Sequence, residues 1–243
     1  MASSLIPAIP SSEEVYLAPD AIIKAFSFTF VVYEKGNALS FIFALCALIP
    51  IFIVVAMAVV FFVNREYQSL FIILGVLVNE TVNDFLKHHF AQDRPPNLLV
   101  AKFRNVDPTT ATELVEHFGM PSSHSQFMFF FVCTVLCWFK VRSRQWKNVT
   151  LLGLFGLASL VAYSRVALHY HTVYQVLAGS FVGLVTGNLW RLFIARVLEP
   201  KLIPFLDSFS FLKDFLCLHS NENIESTVEF QALSARSLGK KIK

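Results

Sequence analysis

Three short polar segments of this chain carry the residue types that phosphate chemistry needs. The segments are 87–95, which reads K-x6-R-P, 121–124, which reads P-S-S-H, and 164–171, which reads S-R-x5-H. Lysine and arginine bind phosphate, and arginine presents its donors in a fixed fork that fits a phosphoryl group. Histidine can act as a nucleophile or carry a proton near neutral pH. The three segments therefore indicate a phosphate site with histidine chemistry.

The two histidines of these segments suggest a division of labour, in which one attacks phosphorus and the other supplies a proton. The two are His124 and His171, and Gln175 follows His171 by one helical turn, so those two side chains share a face. These residues alone leave open which histidine attacks. Taken alone, the third segment would equally suit an Arg165 that snorkels to a lipid headgroup, so the rest of the chain has to decide.

The composition is that of a helical membrane protein. Of the 243 residues, 55% are hydrophobic and only 15% are charged, and the apolar residues form runs long enough to span a bilayer. We predict an all-α polytopic membrane protein, because a helix satisfies its own backbone hydrogen bonds in lipid. The formal net charge of +3 is too small to indicate a nucleic-acid partner.

About five transmembrane helices are expected, with four and six as the alternatives. The predicted spans are 39–63, 67–86, 122–139, 149–167 and 173–198. The second span carries a polar stripe at helical period, which we expect to face the bundle. The members of this stripe are Asn79, Glu80, Asn83, Asp84 and Lys87.

The chain divides into three predicted parts. Residues 1–38 form an N-terminal segment, in which 21–33 are apolar but short, so we expect them to lie in the membrane interface or to re-enter. Residues 39–198 form the membrane domain. Residues 199–243 contain an amphipathic stretch, 203–218, expected on the membrane surface, and a polar tail.

Loop charges predict the orientation in the membrane. Five spans place the basic turn 140–147 on the same side as the C-terminal tail, which the positive-inside rule makes cytosolic. The loop 88–121 and the turn 168–172 then share the opposite side, where all three polar segments meet. Cations that converge there repel one another unless an anion lies between them. A helix that begins at the second segment adds free backbone N–H groups, which also favour an anion.

Together the three segments resemble the signatures of the type 2 phosphatidic acid phosphatase superfamily, in the same order and at the same helix ends. The stretches GMPSSHSQFMFFF and YSRVALHYHTVYQV further resemble its dolichyl diphosphatase branch. The resemblance covers roughly residues 39–198 and implies the helical bundle of that superfamily.

The resemblance also implies a role for each matching residue. His171 would attack phosphorus and form a phosphohistidine that water hydrolyses, and His124 would protonate the leaving group. The phosphoryl oxygens would be bound by Lys87, Arg94, Ser122, the backbone N–H of Ser123, and Arg165. The resemblance implies no metal and no other cofactor.

Two positions depart from the superfamily pattern: Ser123 stands where glycine is usual, and Gln175 stands where aspartate is usual. An amide oxygen can accept from the imidazole N–H and hold its tautomer, but it cannot stabilise imidazolium with charge. This deficit matters least for a good leaving group. A diphosphate releases a phosphate group that titrates at roughly 6, whereas a lipid alcohol has a pKa of about 15, near that of water.

The branch resemblance implies hydrolysis of dolichyl diphosphate to dolichyl phosphate and phosphate, at the lumenal face of the endoplasmic reticulum, which recycles the carrier for protein N-glycosylation. The partners are then a polyprenyl lipid substrate and membrane lipids. The C-terminal residues 240–243, KKIK, resemble a dilysine retrieval signal, which agrees with a cytosolic C-terminus.

Three other functions compete with this reading. The first is a phosphatase that acts on phosphatidate or another lipid monophosphate. A metal-dependent enzyme is disfavoured because the sequence has no His-x3-His or His-x2-His-His array. A catalytically dead scaffold of the same fold is disfavoured because all the implied cations and both histidines are present.

Overall fold

A computed structural model of the chain describes residues 22–26, 31–65, 67–107, 118–135 and 144–209. These residues are mainly helical, which confirms the predicted all-α class. The helices are α1 (Ala38–Cys46), α2 (Ile49–Asn64), α3 (Tyr67–Phe90), α4 (Leu98–Arg104), α5 (Ser123–Val135), α6 (Arg144–Ala167), α7 (Val173–Phe193) and α8 (Ile203–Asp207). Between α7 and α8 the helix continues as a π-helix over Ile194–Leu202. Pro200 lies inside this segment and cannot donate a backbone hydrogen bond.

Four helices of the described residues are long and apolar enough to cross a membrane. They are Ala38–Asn64, Tyr67–Phe90, Asn148–Ala167 and Val173–Leu206. They coincide with four of the five predicted spans. The remaining predicted span, 122–139, corresponds to α5, whose last predicted residues lie outside the described ranges together with most of the basic turn 140–147. The amphipathic stretch predicted from residue 203 begins as a continuation of the α7 helix, and residues 210–243 also lie outside the described ranges.

Helix α5 lies at the centre of the bundle. From Ser125 to Val135 only Phe129 is not buried. Its main neighbour is α7, which presents glycine at every fourth residue: Gly179, Gly183 and Gly187. A Cβ atom at Gly179 would lie 2.5 Å from the Ser122 carbonyl oxygen, so the two backbones approach more closely than any side chain permits. This seam of small residues holds the start of α5 against the start of α7.

Within the N-terminal segment, residues 22–26 and 31–35 pair as an antiparallel hairpin, which the sequence analysis did not predict. Strand β1 (Ile22–Phe26) pairs with β2 (Val31–Lys35), with Ala25 opposite Val32. The sequence analysis assigned no secondary structure to 21–33, and its expectation that this stretch lies in the interface or re-enters stays a prediction. Pairing satisfies the backbone groups that face the partner strand. The side chains of β2 contribute to a core whose buried members include Val31, Val32, Ala44, Ala47, Leu99, Val100, Leu168 and Tyr170.

The polar stripe of α3 divides between two faces. Asn79 and Asn83 are 1% and 2% exposed, as predicted, whereas Glu80 and Asp84 are exposed, contrary to the prediction. Neighbouring helical positions are about 100° apart, which is enough to turn a carboxylate away from the bundle while the asparagine beside it faces inward. The buried amides bond to Gln126 of α5: its Nε2 donates to Asn79 Oδ1 at 3.1 Å, and its Oε1 accepts from Asn83 Nδ2 at 2.8 Å.

Candidate active site

His171 lies in the turn between α6 and α7, where a capping box begins α7. The Thr172 hydroxyl oxygen accepts from the Gln175 backbone N–H at 3.3 Å, and Gln175 Oε1 accepts from the Thr172 backbone N–H at 3.2 Å. This reciprocal pair fixes the first turn of α7. His171 is 2% exposed, and the side chain of Gln175 lies against its ring.

The hydrogen bonds of His171 decide which ring nitrogen carries the proton. Nδ1 lies 2.9 Å from the Gly119 carbonyl oxygen and 3.3 Å from Gln175 Oε1. Both partners are acceptors, so in the neutral ring Nδ1 is the donor and Nε2 keeps the lone pair. Nε2 in turn lies 3.4 Å from Nη1 of Arg94. The nitrogen suited to attack therefore faces a guanidinium.

Gln175 also ties His171 to the loop that carries Arg94. Its Nε2 donates to the Asp93 carbonyl oxygen at 2.8 Å and lies 3.4 Å from Gln92 Oε1. Only the amide nitrogen can donate to a carbonyl, so this bond orients Oε1 toward His171. The Gly119 N–H donates to the Gln92 carbonyl oxygen at 2.7 Å. Gly119, whose carbonyl accepts from His171, is thus bonded to the same loop.

The predicted cations lie around the two histidines. Arg94 and Arg165 are 9% and 5% exposed, Lys87 is half-buried, and the charges of all three act on His124. Burial, followed by the positive charges of Arg94 and Arg165, holds the pKa of His171 well below its ordinary 6.5. The structure thus brings these residues together as predicted, and neutral His171 is the stable form in their field.

His124 is part of the cluster but also bonds to another helix. Its Nε2 donates to the Ala47 carbonyl oxygen at 3.2 Å, at the break between α1 and α2. Pro50 in the first turn of α2 cannot donate a backbone hydrogen bond, and the helix is interrupted just before it. His124 could therefore protonate a leaving group only as imidazolium, through Nδ1 or, once released from Ala47, through Nε2.

The serines of the second segment lie at the start of α5. Ser122 is 0% exposed, its N–H donates to the Gln175 carbonyl oxygen at 3.1 Å, and its Oγ accepts from Ser125 Oγ at 3.3 Å. Ser123 is the first residue of the helix and is only half-buried. The backbone N–H groups of a first helical turn have no intrahelical carbonyl, and they favour an anion. This end of α5 faces the same cluster of cations.

Comparison with known proteins assigns the fold to a family. Residues 68–198 match the model of the PAP2 superfamily. This chain belongs to the PAP2 superfamily. It is 35% identical over 225 residues to dolichyldiphosphatase 1 of Dictyostelium discoideum, with 90% of each chain covered. It is 34% identical over 227 residues to lipid phosphate phosphatase gamma of Arabidopsis thaliana, with 90% of this chain and 93% of that one covered.

A solved structure, LpxE of Aquifex aeolicus, aligns with a TM-score of 0.46 and 19% identity, covering 64% of this chain and 87% of that one. PAP2 membership and the two named relatives make the chain a lipid phosphatase. They confirm the family resemblance and the hydrolase class predicted from the three segments.

Several residues that shape this PAP2 site were missed by the sequence analysis. The Gly119 carbonyl, which accepts from His171, belongs to no side-chain pattern. Asn97 Nδ2 donates to the carbonyl oxygens of Leu168 and His169 at 3.1 and 3.2 Å, while its Oδ1 caps α4. An asparagine after Arg-Pro-Pro and before an apolar run is a helix N-cap signal that could have identified it. Ser164, which the sequence analysis did include in the third segment, donates to the Val161 carbonyl oxygen at 2.7 Å and stabilises its own helix.

Among the residues that the structure describes, no three His, Cys, Asp or Glu side chains are grouped so that they could hold a metal ion.

Proposed function

We propose that this PAP2 phosphatase hydrolyses dolichyl diphosphate to dolichyl phosphate and phosphate. The observation that carries the mechanism is the tautomer of His171, whose Nε2 keeps its lone pair beside Arg94. The choice of substrate is supported by the similarity to dolichyldiphosphatase 1 and by the amide at position 175.

In the first step, Nε2 of His171 forms a bond to the terminal phosphorus as the bond to the bridging oxygen breaks. Dolichyl phosphate leaves with the electron pair of that bond. Lys87, Arg94, Arg165, Ser122 and the Ser123 N–H bind the phosphoryl oxygens and stabilise the charge that develops on them. In the second step, water attacks the phosphohistidine and gives a proton to His124, which restores the proton lost in the first step. The bond between phosphorus and Nε2 breaks, its electron pair returns to Nε2, and inorganic phosphate leaves.

His124 supplies a proton to the leaving oxygen in the first step. Its contribution is expected to be small for a diphosphate, because the departing phosphate group titrates at roughly 6 and needs little protonation. The hydrogen bond from His124 Nε2 to the Ala47 carbonyl makes His124 less available as a proton donor, which a diphosphate substrate tolerates. A lipid alcohol, with a pKa of about 15, would depend on His124 far more.

Gln175 has no charge to stabilise imidazolium, but its hydrogen bonds hold His171 against the loop at Asp93. Its amide holds Nδ1–H of His171 through Oε1 and the Asp93 carbonyl through Nε2. A carboxylate in the same place would stabilise imidazolium, but it would repel the Asp93 carbonyl oxygen. The amide therefore favours a substrate whose leaving group requires little activation.

The competing function is hydrolysis of phosphatidate or another lipid monophosphate, which the similarity to lipid phosphate phosphatase gamma favours. Purified protein should release phosphate from dolichyl diphosphate with a kcat/KM at least about 100-fold above that for phosphatidate, a ratio equal to 2.7 kcal/mol in transition-state free energy. Both rates should be measured side by side in detergent micelles with a chelator. Equal rates would contradict the substrate assignment, and chelator inhibition would contradict the metal-free mechanism.

The acid limb of the pH profile offers an independent measurement. His171 attacks only when neutral, and its pKa lies well below 6.5, so kcat/KM should persist below pH 6.5 and fall as His171 is protonated. Gln175→Glu places negative charge beside Nδ1, which raises the pKa of His171 and should move the acid limb to higher pH. Use of one substrate for both proteins cancels the ionisation of the substrate. If the acid limb of Gln175→Glu stays where it is in the wild type, the proposed contact between residue 175 and Nδ1 of His171 is contradicted.

We also propose that the site faces the lumen of the endoplasmic reticulum and that the C-terminus is cytosolic. Asp107 and Lys201 are exposed and lie near opposite ends of the spans. In sealed microsomes, a cysteine introduced at Asp107 should be protected from an impermeant thiol reagent, and one at Lys201 should react. The original cysteines are first replaced by serine in both proteins. The opposite labelling pattern would overturn the orientation.

A further inference from the structure

Tyr170 lies between the two arginines of the site and the N-terminal hairpin. The Cζ atom of Arg165 lies 4.3 Å from the centroid of its ring. Its backbone oxygen accepts from Nη1 of Arg94 at 3.5 Å. Its hydroxyl oxygen accepts the backbone N–H of Val32, in β2, at 3.0 Å. One residue thus joins a proposed phosphate ligand to a strand outside residues 68–198, the part that matches the superfamily model.

The contact between Tyr170 and Arg165 is well protected from water. The two residues are 4% and 5% exposed. A cation over an aromatic face is held more strongly when both are desolvated, and a planar guanidinium that stacks on a ring keeps its donor fork in one orientation. Burial raises the pKa of Tyr170 above its ordinary value, so its hydroxyl stays protonated near neutral pH. The ring therefore offers Arg165 a neutral and stationary face.

The other end of Tyr170 is equally fixed. Val32 is 0% exposed and belongs to the core cluster that also contains Ala47, Leu99 and Leu168. Its buried N–H is bonded to the Tyr170 hydroxyl, and a buried donor that loses its acceptor is costly. The hydroxyl is thus held by a strand that cannot move without disturbing α1 and α4.

We infer that Tyr170 is a positioning residue, which keeps the guanidinium of Arg165 in its phosphate-binding orientation by anchoring it to β2 at Val32. The inference rests on the proposed role of Arg165 as a phosphate ligand. It also gives the hairpin a part in the reaction, since β2 fixes the ring on which the guanidinium of Arg165 stacks.

Tyr170→Phe tests the anchor, because it retains the ring and removes only the hydroxyl. Inorganic phosphate, a product, serves as the probe through its inhibition constant. We expect that constant to rise about tenfold and kcat/KM to fall by a similar factor, a modest share of the roughly 100-fold cost of a 1 Å misplacement. Tyr174→Phe is the matched control: Tyr174 lies on α7, is 80% exposed, and should leave both quantities unchanged. Unchanged phosphate inhibition in Tyr170→Phe would overturn the inference.

A double-mutant cycle separates positioning from a general structural effect. Lysine at position 165 keeps the charge but cannot stack as a plane. If Tyr170 acts through the guanidinium, Tyr170→Phe should change phosphate inhibition much less in the Arg165→Lys background than in the wild type. Equal changes in the two backgrounds would show that Tyr170 acts independently of Arg165, and would overturn the inference.

A measurement on the wild-type chain covers the case in which Tyr170→Phe does not fold. Phosphate bound at Arg165 should slow amide hydrogen exchange at Val32, because coupling between two sites is reciprocal. Unchanged exchange at saturating phosphate would overturn the inference. Failure of the proposed function would look different: wild-type protein would not hydrolyse dolichyl diphosphate, while the phosphate measurements would keep the expected pattern.

Discussion

Replacement of His171 by alanine is expected to lower kcat for dolichyl diphosphate by roughly 10⁴-fold or more, as loss of the nucleophile does in other covalent hydrolases. Nε2 of His171 is the atom that keeps the lone pair when Nδ1 donates to Gly119 and Gln175. The proposed phosphate ligands remain in the variant, so kcat should fall far more than KM rises. The measurement is the initial rate of phosphate release by purified protein.

His88→Ala is the matched control for this change. His88 lies at the end of α3, its side chain is 67% exposed, and its loss should leave kcat unchanged. The intermediate gives a second test. Phosphohistidine is acid-labile, so a reaction with substrate labelled on the terminal phosphorus is quenched in alkali, and the label should be found on the peptide that contains His171. Label that persists in His171→Ala would contradict the assignment.

The spans could be predicted because a membrane imposes a simple rule on sequence: about twenty apolar residues in one helix. The hairpin could not, because many of the residues that bury Val31 and Val32 are distant in sequence. They come from α1, from α4 and from the turn at Leu168, and no local period records that association. A short apolar run is equally compatible with a buried strand and an interfacial helix.

The site residues could be predicted because phosphate chemistry restricts their types and the three segments keep their order along the chain. What the sequence does not contain is the backbone that serves them. His171 donates to the Gly119 carbonyl, His124 to the Ala47 carbonyl and Gln175 to the Asp93 carbonyl. Every residue has a carbonyl, so only the fold decides which carbonyls the side chains of the candidate site meet.

The spacing of glycine in α7 was a signal that the sequence analysis did not use. Small residues at every fourth position of a membrane helix favour close packing against a neighbour. The neighbour here is α5, and the contacts of Gly179, Gly183 and Gly187 fall on the backbones of Ser122, Gln126 and Phe130. The glycine nearest the site therefore touches a proposed phosphate ligand.

Gly179→Ala is accordingly expected to lower kcat/KM by about 100-fold, the order of loss that a 1 Å misplacement causes. The new Cβ would lie 2.5 Å from the Ser122 carbonyl oxygen and 3.1 Å from its nitrogen, so the backbone of Ser122 has to move. That nitrogen donates to the Gln175 carbonyl, and the displacement therefore reaches both the phosphate ligands and the helix behind His171. Activity is measured per folded protein, together with the thermal midpoint.

Two further glycines separate a local effect on the site from a general loss of packing. A Cβ at Gly187 would lie 2.8 Å from the Phe130 carbonyl oxygen, two helical turns farther along the seam, so Gly187→Ala should lower the thermal midpoint while folded protein keeps most of its activity. A Cβ at Gly153 on α6 meets nothing within 4 Å, and Gly153→Ala should change neither quantity. Equal losses of activity per folded molecule in Gly179→Ala and Gly187→Ala would show that the seam supports the bundle as a whole, and would contradict a specific effect of Gly179 on Ser122.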